Sequence, residues 1–316
     1  MQRLNVLLAA EEAAGSQALK LLTASQHRLI AVLTGAPAAN TKTASVAAAA
    51  DRLGVPVWSP GLLASARLAK TLRRENVELL LNVHSLVVAH ADVVAAPRIG
   101  SFNLHPGPLP EYAGLNAPSW AIYQGAHHHG VTLHWMETGI DTGDIAFTAP
   151  VPISRQDTGL TLSAACARAG LPLIAALLRV AAWNPRHIPA IAQDLTRRRY
   201  FGREGPHPRG MPWGLPARRL DAFVRACNYG PFPSPWGRPI SLLGDCRIAI
   251  LKTSLTGERC SPVPGTVDTD SGGTIRVATA DEWLRIERIA VDGRSSPPAD
   301  VLREGVIFAA PDPTRA

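Results

Sequence analysis

The chain has 316 residues, 46% of them hydrophobic, a formal charge of +7 and four cysteines. This length suits one large and one small domain, each with its own core, and no apolar run approaches the roughly 18 uninterrupted residues of a membrane span. The charge is confined: residues 186–219 carry eight basic and two acidic side chains, whereas 220–316 carry 11 and 12, which argues against a nucleic-acid-binding domain, since such a domain carries its positive charge on the folded unit.

The N-terminal run Asn5–Ala9 is apolar, has one basic residue before it and meets Glu11 and Glu12, so it reads as a first buried strand rather than a secretory signal. Glu11–Leu22 carries helix formers. His27–Leu33 is a second strand, Thr43–Leu53 an Ala-rich helix stopped by Gly54, and Val55–Trp58 a short edge strand because of Pro56. Leu62–Arg74 reads as a helix with Leu63, Leu68 and Leu72 inward. Val77–Val83 is a buried strand interrupted by Glu78 and Asn82, Ala89–Ala95 one or two helical turns, and Ile99–His105 another strand. Strands alternating with helices predict a mostly parallel α/β sheet. The first strand is not followed by a Gly-x-Gly-x-x-Gly turn, and Glu11 and Glu12 would repel a pyrophosphate, so a dinucleotide enzyme is disfavoured.

Further on, Asp144–Ile153 is extended and Thr158–Val180 is helical, with Gly170 and Pro172 expected to kink or split it. Residues 186–219 lack periodicity and read as a basic Pro/Gly/Arg-rich linker, with Arg197, Arg198 and Arg199 solvated. This predicts a first domain over 1–185 and a small β-rich domain over 220–310. The latter opens with a helix at Leu220–Cys227. Short strands follow at Ile240–Leu243, Arg247–Leu251, Gly265–Val267, Thr274–Ala278 and Trp283–Val291, with turns at Gly244-Asp245, Gly272-Gly273 and Asp292-Gly293, as in an open barrel. The last dozen residues are expected to fray. Cys166, Cys227, Cys246 and Cys260 form no Cys-x-x-Cys pair, which predicts a reduced, cytoplasmic protein.

The chemistry concentrates between Ser101 and Asp144. Asn103 and His105 point the same way on a strand, and Pro106 ends that strand, which puts an amide and an imidazole at its C-terminal end, where open α/β sheets place their sites. Asp141 lies in a loop between Gly139 and Gly143. An imidazole beside a carboxylate can be held protonated, and imidazolium and carboxamide donors together can stabilise an oxyanion. The carboxylate can route a proton from an attacking amine. That is acyl transfer between two bound molecules, without a metal or a nucleophilic side chain.

Asn103-x-His105-Pro-x-x-Leu109-Pro110, followed by Gly114, Pro118, Trp120-Ala121-Ile122, Gly130-Val131-Thr132-Leu133-His134 and Gly139-Ile140-Asp141-Thr142-Gly143, resembles the folate-dependent formyltransferase family. Pro264-Gly265-Thr266-Val267 and the pattern from Ile275 to Ile286 resemble that family's small C-terminal domain. The resemblance implies a Rossmann-like catalytic domain and 10-formyltetrahydrofolate as donor. It implies a catalytic trio of Asn103, His105 and Asp141, with Asp141 keeping His105 charged. It also implies a pterin pocket between His84, Ser85, Leu86, Val87 and Val88 on one side and Met136, Glu137, Thr138, Gly139 and Ile140 on the other, contacted largely through backbone. The Pro106-Gly107-Pro108 version, with Ala113-Gly114 where the family often has Arg-Gly, resembles formyltransferase domains of natural-product peptide assembly lines. It implies a small amino-acid-type or carrier-protein-bound aminoacyl acceptor. An aminoacyl-tRNA acceptor is less favoured, because the tail is near neutral and residues 34–45 hold only Lys42. The resemblance is also compatible with an amino-sugar N-formyltransferase or a formyltetrahydrofolate hydrolase.

The run His127-His128-His129 invites a metal reading, but adjacent imidazoles converge poorly on one ion, so a solvated turn before the Gly130 strand is expected. His134 reads as a core or pocket-wall histidine, Trp120 and Trp135 as packing groups, and Tyr229–Trp236 equally as a structural wedge or part of an acceptor surface.

Overall fold

The computed structural model describes residues 2–35, 45–208 and 210–309. Expectations that fall on Lys42, Thr43, Arg209 and residues 310–316 lie outside them. The chain forms two compact units: one holds residues 1–117, 128–152 and 163–201, the other 118–127, 153–162 and 202–316.

In chain order the first half contains β1 (Asn5–Ala10), α1 (Glu12–Thr23), β2 (Arg28–Leu33), α2 (Val46–Arg52), β3 (Val57–Trp58), α3 (Ala66–Arg74), β4 (Leu79–Val83), α4 (Ala91–Val94), β5 (Gly100–His105), β6 (Ala113–Gly114), α5 (Ala117–Tyr123), β7 (His128–Trp135), β8 (Ile145–Pro152), α6 (Gly159–Trp183) and β9 (Tyr200–Phe201). Seven strands make one sheet in the order β3-β2-β1-β4-β5-β7-β8. The first five are parallel, β7 runs antiparallel to β5, and β8 runs antiparallel to β7. β3 is the edge that Pro56 predicts.

Register puts one polar row across the sheet: Ala9 pairs with Asn82, Asn82 with Asn103, and Asn103 with His134. Residues directly opposite each other share a face, so three polar side chains stand together at the strand ends. On that face Leu7, Ala9, Leu33 and Leu80 bury against Leu68 and Leu72 of α3. On the other face α1 lies so close that a Cβ on Gly15 would stand 2.8 Å from Ala10 Cβ. The helix expected over Leu62–Arg74 is broken at Ser65. That residue is extended, and its hydroxyl accepts from Arg67 N–H to cap α3, leaving a 3-10 turn at Pro60–Ala64.

α6 is neither split nor ended by Gly170 and Pro172; it runs unbroken for 25 residues. Pro172 faces solvent, and Gly170 serves close packing, since a Cβ there would stand 2.6 Å from Leu104 Cδ2. By length and composition alone this helix is apolar enough to cross a membrane. Leu162, Cys166, Ile174, Leu177 and Leu178 are buried within the fold, and Arg168 and Arg179 interrupt its apolar sequence.

The second unit contains α7 (Ala217–Ala226), β10 (Ile240–Leu243), β11 (Cys246–Arg259), β12 (Val267–Thr269), β13 (Ile275–Ala278), β14 (Glu282–Val291) and β15 (Arg294–Ser296). They form an antiparallel sheet in the order β10-β11-β14-β13-β12, with β15 on β14. β11 continues far beyond the predicted Leu251, because residues 252–255 and Arg259 go on pairing with β14. The expected fraying is not found in the described part of the tail: Ile307 bridges Thr266, and Ala309 bridges Leu242, so the tail pairs beside both edges of the sheet. α7, capped by Asp281, which accepts from Ala217 N–H at 2.9 Å, lays Leu220, Phe223 and Val224 on Ile248, Ile250, Leu284 and Ile286. All four cysteines are free thiols, and burial pushes those of Cys166 and Cys227 up to about 12.

Candidate active site

The structure brings Asn103, His105 and Asp141 together and adds a fourth member, His134. Asn103 Nδ2 donates to Asp141 Oδ1 at 3.3 Å and to His134 Nε2 at 3.0 Å. His134 Nδ1 lies 2.7 Å from the Trp135 carbonyl. A carbonyl only accepts, so Nδ1 carries the proton and Nε2 is free to accept from Asn103. His105 Nδ1 faces Asp141 Oδ2 at 3.5 Å, and its Nε2–H donates to the Tyr112 carbonyl at 2.6 Å. Gly114 N–H donates to the same carboxylate oxygen at 2.8 Å.

Local sequence explains this convergence. Asp141 adopts φ 55°, the left-handed conformation that Asp and Asn tolerate best among residues with a side chain. Gly143 beside it is required for space: a Cβ would stand 2.0 Å from the Trp135 carbonyl oxygen. Gly114 has φ 94°, and a Cβ there would meet the Phe201 carbonyl at 2.2 Å, so only glycine turns its N–H toward Asp141. The loop after β5 is tied from β7. Thr132 Oγ1 donates to Gly107 O at 2.8 Å and accepts from Leu109 N–H at 3.2 Å.

His129 Nε2 donates to Pro106 O at 2.9 Å. The expected solvated turn over His127–His129 is therefore corrected. His128 and His129 already belong to β7; His129 is buried, while His127 and His128 are exposed. Burial pushes His129 down to about 4, against the pull of the Pro106 carbonyl. Among the described residues no group of three or more His, Cys, Asp or Glu side chains is arranged to hold a metal ion.

Burial also pulls the His105 imidazole below its ordinary value, although the Asp141 carboxylate and the Tyr112 carbonyl act the other way. For Asp141, burial alone would raise the carboxyl, but the His105 imidazole and the Gly114 N–H outweigh it and hold it well below the usual carboxylate range. The carboxylate thus lies beside a buried imidazole on which burial and the neighbouring negative charge act in opposite senses, burial being the larger effect. Its Nδ1 is a proton acceptor next to a negative charge. Both Asn103 Nδ2 hydrogens already have acceptors, so an incoming oxyanion would compete for one of them.

The two predicted pocket loops have different supports. Asn82 holds the first: its side chain accepts from Ser85 N–H and donates to Ser85 O. His84, at φ 63°, places Nδ1 3.1 Å from Glu12. Ser85 is buried, Val87 packs into the core, and Leu86 and Val88 are 71% and 62% exposed. In the second loop Met136 donates its N–H to Ser101 O, Glu137, Thr138 and Gly139 are exposed, and Ile140 is 44% exposed. Both loops therefore present apolar side chains to solvent, Leu86 and Val88 in the first and Ile140, next to Asp141 in sequence, in the second.

Sequence reasoning missed the part played by residues 189–201. Arg197 and Arg199 are exposed as expected, and Arg197 pairs with Glu111. Arg198, however, donates to the Ile140 carbonyl at 3.0 Å, and Gln193 donates to Asp141 O and Gly143 O. Lacking periodicity, the segment gave no signal. The signal for His134 was present: it shares its strand face with Thr132 and stands four residues beyond Gly130.

Residues 2–177 match the family model described as "Formyl transferase", and residues 210–305 match "Formyl transferase, C-terminal domain". Among solved structures, the N-formyltransferase from Helicobacter canadensis in complex with folinic acid and dTDP-3-aminofucose superposes with a TM-score of 0.67, at 18% identity over 90% of this chain and 98% of that one. WlaRD, a sugar 3N-formyl transferase in the presence of dTDP and 5-N-formyl-THF, gives 0.70 at 16% identity over 93% and 100%. HypX from Aquifex aeolicus in complex with tetrahydrofolic acid gives 0.64 at 17% identity over 96% of this chain and 47% of that one. Identities this low speak to the fold.

Proposed function

The chain belongs to the folate-dependent formyltransferase family, and from that premise we propose that it moves the formyl group of 10-formyltetrahydrofolate to a primary amine at Asn103, His105 and Asp141. The observation that carries the reading is the meeting of all three side chains on one carboxylate, with His105 Nδ1 3.5 Å and Asn103 Nδ2 3.3 Å from Asp141.

In this reading the exposed Leu86, Val88 and Ile140 fit the flat pterin of the donor, which supplies the formyl carbon when bound. Asn103 turns an amide hydrogen to the carbonyl oxygen as negative charge develops there. His105, neutral at rest, takes the proton that the amine gives up as its nitrogen bonds to the formyl carbon, and Asp141 stabilises the imidazolium that results. The adduct then collapses by breaking the bond from the formyl carbon to N10 of the folate, and the imidazolium returns its proton to that leaving nitrogen. His134 and Gly114 keep Asp141 and Asn103 in place. The reaction needs positioning of two bound molecules more than a strong acid or base.

For the acceptor we favour a small amino-acid-type amine or an aminoacyl group on a carrier protein, on the strength of the Pro106-Gly107-Pro108 and Ala113-Gly114 pattern. An amino sugar is the second reading, because two of the superposing proteins are named for sugar nucleotides or sugar N-formylation. Purified protein would be mixed with 10-formyltetrahydrofolate and, in separate reactions, an aminoacyl carrier protein, free amino acids, a dTDP-amino sugar and methionyl-tRNA. Mass spectrometry would then seek the added formyl group. Formate released equally without any amine would replace transfer with hydrolysis, and full transfer by His105→Ala would end the assignment of the trio.

A further inference from the structure

We infer that Gln193 is a positioning residue for the proposed reaction: its amide fixes the backbone of the loop that carries Asp141. The inference rests on the reading of Asp141 as part of the catalytic trio. Gln193 Nε2 donates to Asp141 O at 3.1 Å and to Gly143 O at 2.6 Å. Two hydrogens of one amide thus grip both sides of the turn in which Asp141 holds φ 55°.

The orientation of the amide follows from its partners. Its Oε1 is buried with no hydrogen-bond partner, and turning the group over would set that oxygen against two carbonyls. The grip is therefore one of donors. Both hydrogen bonds that its amide makes go to this loop.

Gln193 is itself rigidly held. Ile191 and Ile145 exchange both backbone hydrogen bonds, at 2.8 and 3.0 Å, and Trp135 Nε1 donates to Pro189 O at 2.8 Å. Five residues on, Arg198 donates to Ile140 O at 3.0 Å. The carbonyls of residues 140, 141 and 143 are thus each held from one segment. A non-Gly residue in the left-handed region stays there only when its surroundings over-determine it. Catalytic groups need placement within about half an ångström.

The test compares wild type, Gln193→Met, which keeps the reach and loses both donors, and Gln193→Glu, which faces the carbonyls with a carboxylate. Asp141→Asn is the control. The Gln193 variants are expected to lose about tenfold or more in kcat, with acceptor KM within about twofold and Tm within about 3 °C of wild type. In Gln193→Met the acid limb of the kcat profile should move to lower pH, because a carboxylate held less firmly beside His105 raises that imidazole less. Unchanged kcat and limb in Gln193→Met, with Asp141→Asn inactive, would overturn the inference and leave the trio intact. Reduced kcat with an unmoved limb and a Tm lowered in proportion would also overturn it, leaving only a structural role. Activity retained in Asp141→Asn would instead remove the reading on which it rests.

Discussion

Two buried histidines answer to pH in the same sense. His129 is pushed down to about 4 by burial, whereas an unfolded histidine titrates near 6.5. The unfolded chain therefore binds more protons between those values. The stability this residue contributes is complete above about pH 6.5 and is lost as pH falls toward 4. Denaturant unfolding at pH 7.0 and 4.5 should show the wild type losing more than His129→Gln, by up to about 3 kcal/mol. His105 carries the same sign into catalysis. Burial lowers its pKa and the proposed base is neutral, so the acid limb of kcat/KM should lie below the ordinary imidazole value, once the acceptor amine's own titration is divided out. A limb well above it would mean that the charged form is the working one. The trio was legible because period-2 alternation fixes where Asn103 and His105 point. Their protonation was not, because it depends on burial and on the Tyr112 carbonyl, which a motif does not encode.

At the level of elements, glycines decide how tightly loops close. Gly143→Ala would drive a Cβ into the Trp135 carbonyl oxygen 2.0 Å away, a backbone atom with no rotamer to yield. The loop must shift, so formyl transfer should fall at least tenfold and Tm by several degrees, read by product assay and thermal melt. Most strands and helices are readable from periodicity: Asn5–Ala9, His27–Leu33 and Ile240–Leu243 lie within a residue of the observed β1, β2 and β10. Three departures share a cause, the limited reach of a local pattern. Ser65 has apolar neighbours that suggest helix interior, although its hydroxyl makes it a cap. Pro172 suggests a break, although its ring faces solvent on a long helix supported by packing. The far half of β11 gives little sign of a strand, because its partner, β14, lies some 30 residues away and its own sequence is polar.

For the molecule as a whole, the distribution of charge makes the acceptor question measurable. Eight of the 32 basic side chains lie in residues 186–219. If the acceptor is an acidic carrier protein, its KM should rise several-fold between 50 and 500 mM NaCl, whereas a neutral free amino acid should show little change. Steady-state kinetics at the two salt levels separate them. The two-part plan was visible in sequence as helix-alternating strands followed by short strands between turns, but the closing action of the tail was not, since single bridges leave no pattern. Those bridges have a practical consequence. Ile307 and Ala309 act as a seam between two otherwise open margins, so a chain cut after Glu304 would leave the Val267 N–H and the carbonyls of Leu242, Gly265 and Val267 without the partners that the tail supplies. Such a truncation should be judged first by light scattering, because self-association would arrive before any loss of turnover could be interpreted.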